Sequence, residues 1–236
     1  MGDEAYLHLS PFANVRVYVK IISCKYFFME TLFFIFVLIF SIVIHEFSHG
    51  AVANMLGDPT AKLAGRLTLN PLKHLDPIGS VVLPVLMILT TGTGIGWAKP
   101  VPVNPFNFRD QKYGSLKVAL AGPAANLTVA LFLGLFLRLL FFFGVASPVL
   151  FSALSFIIFV NILLAMFNLT PVPPLDGSHI LFALLPDSLR EIKIFLSQFG
   201  FFILIFLIFF FPPFLRIIIY LVENIFILFA GTPPLL

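Results

Sequence analysis

The sequence predicts an all-α integral membrane protein: a polytopic helix bundle with one re-entrant, strand-like segment. Three observations carry that expectation. Only 11% of the 236 residues are charged, 60% are hydrophobic, and mean hydropathy is +1.06. Soluble domains average about 25% charged residues, so this chain cannot cover a water-facing surface. Its apolar residues, 31 Phe among them, gather in runs that suit a hydrocarbon core about 30 Å thick. Pro- and Gly-rich stretches separate those runs. A soluble globular enzyme and a disordered chain are excluded by the same arithmetic. A nucleic-acid binder would show a basic stripe, and the net charge of +3 comes with none. The single cysteine, Cys24, excludes an intrachain disulfide.

Residues 1–26 are expected to form an N-terminal interfacial segment ahead of a single membrane domain over 27–236. Residues 15–20 alternate apolar and polar, which suggests a strand or an interfacial stretch. Asp3 and Glu4 stand where a signal peptide is basic, and Tyr6 stands where a myristoylation signal has Ser or Thr, so neither signal is expected. The first span covers about 27–56. Its uninterrupted apolar part, 31–44, makes only about 21 Å of helix. It can span only by continuing through His45, Glu46 and His49. Ionisable groups at that depth mark a functional site by default.

Residues 57–77 form a polar connector with Gly57, Pro59, Pro71 and Pro77. Residues 78–105 read as a segment that enters the membrane and returns. Its apolar part is short and contains Pro84, and Pro100, Pro102 and Pro105 forbid helix at its end. A full span at 78–96 is the alternative. Gly92, Gly94 and Gly96 lack the preceding strand and the lysine ending of a phosphate loop. A second span covers about 116–146 and opens with Ala121-Gly122-Pro123-Ala124-Ala125-Asn126, small residues that permit close helix approach. Arg138 within it reads as a snorkelling residue. A third span, about 149–169, is stopped by Pro171, Pro173 and Pro174. A short helix at 178–185 and spans at about 192–211 and 214–230 complete the chain. Arg216, Tyr220, Glu223 and Asn224 share one face of the last, which reads as a face packed on neighbouring helices.

Lys and Arg set orientation. Residues 57–117 carry seven (Lys62, Arg66, Lys73, Lys99, Arg109, Lys112 and Lys117), and the turn at 144–149 carries none. The first region is therefore expected in the cytoplasm and the second outside, although Arg16, Lys20 and Lys25 weigh the other way. The expectation is a multi-pass protein of the cell membrane, with His45–His49 and Asp176 toward the cytoplasmic side.

His45-Glu46-Phe47-Ser48-His49 is an H-E-x-x-H on a helix. Positions i and i+4 share a face, so both imidazoles can reach one metal ion, and the Glu between them can deprotonate a water. Chance supplies this pattern roughly 0.002 times in a chain of this composition. Zinc suits such nitrogen and oxygen donors, and a catalytic zinc takes three protein ligands. Asp176 is the expected third, at the predicted depth of the histidines and just after a proline-broken helix end. Taken alone it reads as a helix N-cap. His179, Glu191 and Glu223 are rival ligands.

His45–His49 together with Asn168-x-x-Pro171-x-Pro173-x-Leu175-Asp176-Gly177 resembles the site-2 protease family of intramembrane zinc metalloproteases. Gly122-Pro123-x-x-Asn126 and the proline-rich stretch 96–105 are similar to that family too. The resemblance covers about 30–185 and leaves the C-terminal helices, about 190–231, outside it. It implies a three-helix catalytic core and one Zn2+ per chain held by His45, His49 and Asp176. It implies Glu46 as general base, and Asn126 as a residue that positions substrate or stabilises the oxyanion, unless it merely packs helices. Membrane-anchored proteins, cut within or near the lipid bilayer, would be the substrates. The chain resembles the short subgroup without PDZ or CBS domain. Two other classes compete. A membrane zinc transporter would place ionisable groups on several spans, where this chain has one cluster. A noncatalytic membrane binding protein would not need Glu46. Within enzymes, a different membrane metalloprotease with a late Glu as third ligand is the runner-up.

Overall fold

The computed structural model describes residues 11–76, 99–145 and 147–231. Seven α-helices are described: α1 (Pro11–Met55), α2 (Thr60–Leu63), α3 (Gly114–Phe142), α4 (Pro148–Asn168), α5 (Asp176–Leu184), α6 (Arg190–Phe210) and α7 (Pro212–Ala230). Short 3-10 turns sit at Pro71–Lys73, Pro105–Asn107 and Asp187–Leu189, and no strand occurs among the described residues. Five helical stretches are long and apolar enough to cross a bilayer: Met29–Met55 of α1, then α3, α4, α6 and α7. They coincide with the five firm spans expected, and the chain is a multi-pass helical membrane protein. Of the re-entrant segment expected at 78–105, residues 78–98 lie outside the described residues, as does the whole of the alternative span at 78–96. Residues 99–104 carry no helix, as their prolines require, and Asn104 is extended.

The chain divides into two compact units, Met1–Leu38 and Ile39–Leu236. The first contains the opening of α1. There residues 15–20 are helical, not a strand. A strand needs a partner to satisfy its backbone, whereas extending an existing helix adds one hydrogen bond per residue fixed.

The second unit contains the last turns of α1 and everything after. Its starts and stops follow from local chemistry. Asp110 accepts the Tyr113 N–H at 2.9 Å just before α3 and pairs with Lys117 at 2.6 Å. Ser147 and Pro148 open α4 as cap and first helical residue. Pro212 opens α7, and Gly231, at φ +79°, closes it in the left-handed conformation. Arg138 donates to the carbonyls of Ile227 and Leu228. It is thus a cap for the exposed carbonyls at the end of α7, a sharper role than snorkelling.

The apolar core lies among α3, α4 and α7, around Leu137, Ile158, Ile162, Val222 and Phe226. Gly134 makes the closest approach possible: a Cβ there would sit 2.9 Å from the Phe229 backbone. α7 turns Ile218, Val222, Phe226 and Ala230 inward at helical spacing. That choice leaves Arg216, Tyr220, Glu223 and Asn224 exposed, so the polar stripe expected to pack on neighbouring helices faces away from the core.

Candidate metal and catalytic site

His45 and His49 stand one turn apart on α1, 5% and 8% exposed, with their rings edge to face at 4.7 Å. Asp176 begins α5. Its Oδ2 lies 3.0 Å from His45 Nε2 and 3.2 Å from His49 Nε2. One donor atom from each of the three lies within 4.8 Å of the others, the one such group among the described residues.

The outer nitrogens of both rings define the tautomers. His49 Nδ1 faces the Val118 carbonyl at 2.7 Å, and His45 Nδ1 faces Asn126 Oδ1 at 2.8 Å. A carbonyl oxygen can only accept, so each Nδ1 carries the proton. The Asn126 amide is oriented by its own partners: Nδ2 donates to the Ser41 carbonyl at 3.1 Å and to Asn161 Oδ1 at 2.8 Å. Asn161 Nδ2 in turn donates to the Ile157 carbonyl and to Ser41 Oγ. With both rings neutral, each turns an unprotonated Nε2 toward a carboxylate oxygen, and a cation shared by the three atoms, either a metal ion or a proton carried by an imidazole, satisfies them. Two imidazole nitrogens and a carboxylate oxygen form a zinc-type donor set.

Two glycines make room for it. A Cβ at Gly122 on α3 would stand 2.5 Å from His49 Nε2 and 2.6 Å from His45 Nε2. A Cβ at Gly177 would stand 2.2 Å from the Leu169 carbonyl oxygen. Gly177 is not among the positive-φ glycines, so close approach to the end of α4, not unusual backbone angles, is what its small size permits. Asp176 is not the N-cap of α5: Leu175 holds that position and Asp176 is the first helical residue.

Glu46 is half-buried, and its Oε2 accepts the Val101 N–H at 2.9 Å. It lines a cavity of about 380 Å³ with His45, His49, Asp176 and the stretch around Val101. The Glu46 carboxylate and the three converging donor atoms thus open on one space. His179 lines the same cavity but stays exposed and outside the converging group. Glu191 and Glu223 are exposed and outside that group as well.

The profile of peptidase family M50 matches residues 144–207, the stretch that holds Asp176. Over 187 residues the sequence is 40% identical to "Putative zinc metalloprotease YwhC" of Bacillus subtilis (strain 168), covering 77% of this chain and 81% of that protein. The chain belongs to peptidase family M50. It is also 40% identical over 139 residues to "Putative zinc metalloprotease Rip2" of Mycolicibacterium smegmatis, and 36% identical over 137 residues to the Rip2 protein of Mycobacterium tuberculosis (strain ATCC 25618 / H37Rv). Each of those matches covers 58% of this chain and 51% of the relative. No solved structure gives a significant match.

Asn126 of this M50 peptidase, the residue expected to position substrate or stabilise the oxyanion, is fully buried, outside the cavity lining, with both its polar atoms engaged within the protein. What it touches is His45. Sequence reasoning missed Ser41 and the Val101 N–H. For Asn161 the signal in the sequence is a polar residue in the middle of an apolar span.

Gly122→Ala should lower metal content sharply, because its methyl would occupy the space in front of both Nε2 atoms. Metal analysis of the purified variant checks this; metal content equal to wild type would contradict the cradle.

Proposed function

We propose that this M50 peptidase hydrolyses peptide bonds of membrane-anchored proteins within or near the bilayer, with one zinc ion held by His45, His49 and Asp176. The observation that carries the reading is the convergence of those three donors on a cavity that Glu46 also lines. Zinc, when bound, supplies Lewis acidity that acidifies water and polarises a carbonyl. Glu46 acts as general base and then acid: its carboxylate takes a proton from water and returns it to the leaving amine nitrogen. The Val101 N–H holds Oε2 of Glu46, which leaves Oε1 for that proton. Asn126 and Val118 keep both imidazole Nε2 atoms turned inward.

A substrate helix shields its carbonyls with its own hydrogen bonds and must unwind locally to be cut. The extended stretch that ends near Asn104 lines the cavity through Pro100, Val101 and Val103, which supports pairing of its backbone with the unwound substrate. A transporter reading gains no support, since one ligand group occurs among the described residues and transport along a path needs several. The seven-to-none Lys/Arg asymmetry supports a cytoplasmic placement of residues 57–117, and with it a site open to water on that side of the cell membrane.

Three outcomes are expected. Glu46→Gln should retain zinc and lose about 10²–10⁴-fold in turnover, as removal of a positioned acid–base group does. Near-normal turnover by the purified variant would sink the catalytic assignment. Asp176→Ala should lower zinc per chain strongly while His179→Ala keeps it, and the reverse pattern would displace Asp176 as third ligand. In a Cys24→Ser background, Lys73→Cys and Lys112→Cys should react with a membrane-impermeant thiol reagent from the cytoplasmic face and Ser147→Cys from the outside. Labelling of position 147 from the cytoplasm alone would invert the topology.

A further inference from the structure

We infer that Asp58 is a positioning residue of this peptidase, clamping the stretch from Pro100 to Arg109 along α1 so that the Val101 N–H stays on Glu46. The inference rests on the peptidase reading and deepens it.

Asp58 lies three residues past the end of α1 and is fully buried. Its Oδ1 accepts the Thr60 N–H at 3.1 Å, the Thr60 hydroxyl, and Asn107 Nδ2 at 2.8 Å. Its Oδ2 accepts the Asn104 N–H at 2.7 Å. Burial raises the carboxyl pKa, but hydrogen bonds from Thr60, Asn107 and Asn104 outweigh it and the net shift is downward, so the group is ionised at neutral pH. The bonds to Thr60 are local and close the turn after α1. Those to Asn104 and Asn107 reach 46 and 49 residues along the chain, and no turn at the end of α1 requires them.

The clamped stretch is docked at both ends. At one end the Arg109 N–H donates to the Leu56 carbonyl at 2.8 Å. Gly57, at φ +105°, is the residue that lets Asn107 come close, since a Cβ there would sit 3.1 Å from the Asn107 oxygen. At the other end Val101 rests over Gly50, where a Cβ would stand 3.1 Å from Val101 Cγ1. Arg66 donates to the Lys99 and Pro100 carbonyls at the near end. Between Val101 and Arg109, among the described residues, Asp58 supplies the charge-assisted bonds, about twice as strong as neutral ones. The stretch has one 3-10 turn, Pro105–Asn107, and no longer helix to hold it. The register of Val101, three residues before Asn104, on Glu46 therefore leans on this carboxylate.

The test uses the full-length chain in detergent micelles and a tagged single-span reporter helix of about 20 apolar residues. Asp58→Ala should keep wild-type zinc content and lose about tenfold or more in kcat, with a smaller change in KM, since small misplacements of a reacting group cost up to about 10²-fold. Asn107→Asp alone should also be impaired, because it sets two carboxylates face to face. Asp58→Asn should be impaired too, since its amide must turn a donor toward either the Asn104 N–H or the Thr60 and Asn107 donors. Lys117→Ala, which breaks only an exposed pair, should match wild type. Hydrogen exchange of the 99–109 peptide, read without substrate, should quicken in Asp58→Ala. Unchanged exchange overturns the clamp even if the wild type leaves the reporter intact, an outcome that would itself speak against the proposed function. Wild-type kcat and KM in Asp58→Ala, or a kcat loss matched by lost zinc, likewise overturns it.

Discussion

The meeting of His45 Nε2, His49 Nε2 and Asp176 Oδ2 is the contact on which the second unit depends. Asp176 Oδ2 lies 3.0 Å from one imidazole nitrogen and 3.2 Å from the other, and with both rings neutral the three lone pairs need a cation between them. Every neighbouring feature serves that meeting. α1 places two imidazoles on one face because positions four apart align. The prolines after Asn168 stop α4 and turn the chain back, and Gly177 lets the start of α5 touch the end of α4, which delivers the carboxylate. Gly122 withholds the methyl that would fill the space.

The rings would rotate out of that geometry if their outer nitrogens were free. One is tied to a backbone carbonyl of α3, the other to an amide that is itself tied to α1 and α4. Ser41, Asn126 and Asn161 are each no more than 3% exposed, and unpaired they would each carry a desolvation penalty. Linked in one network they satisfy one another and join α1, α3 and α4 at a single point. In a bundle without a hydrophobic drive between helices, such polar contacts and close small-residue crossings hold the helices in register.

The five spans and the H-E-x-x-H were legible because both are local: hydropathy over 20 residues and a spacing of four positions. The meeting of Asp176 with the two histidines was legible through chemistry, since a metal would need a third donor and a carboxylate followed a broken helix. What could not be read was direction. Asn126 offered the right atoms for an oxyanion, and only the packing of α3 on α1 shows that they point at His45. The alternation at 15–20 carried no information on whether a partner strand existed. The stripe at Arg216–Asn224 and the apolar stripe at Ile218–Ala230 compete for the same interior, and burial of the apolar one decides. Asp58 gave no signal in the sequence, because its long-range partners are a backbone N–H and an asparagine that no spacing rule connects to it.

α1 unites these elements. Within 14 residues, from His45 to Asp58, the chain holds two of the three proposed metal donors, the proposed base, two glycines that let residues 101 and 107 approach, and the carboxylate that binds Asn104 and Asn107. Groups on one helix end and the turn after it keep register more tightly than groups on separate elements, whose relative motions would add. The third proposed donor, Asp176, comes from α5, and other contacts set its approach: Gly177 meets the end of α4, and Gly200 of α6 meets Pro173, where a Cβ would stand 2.6 Å from the proline side chain. α7 buttresses α3 and α4 from behind.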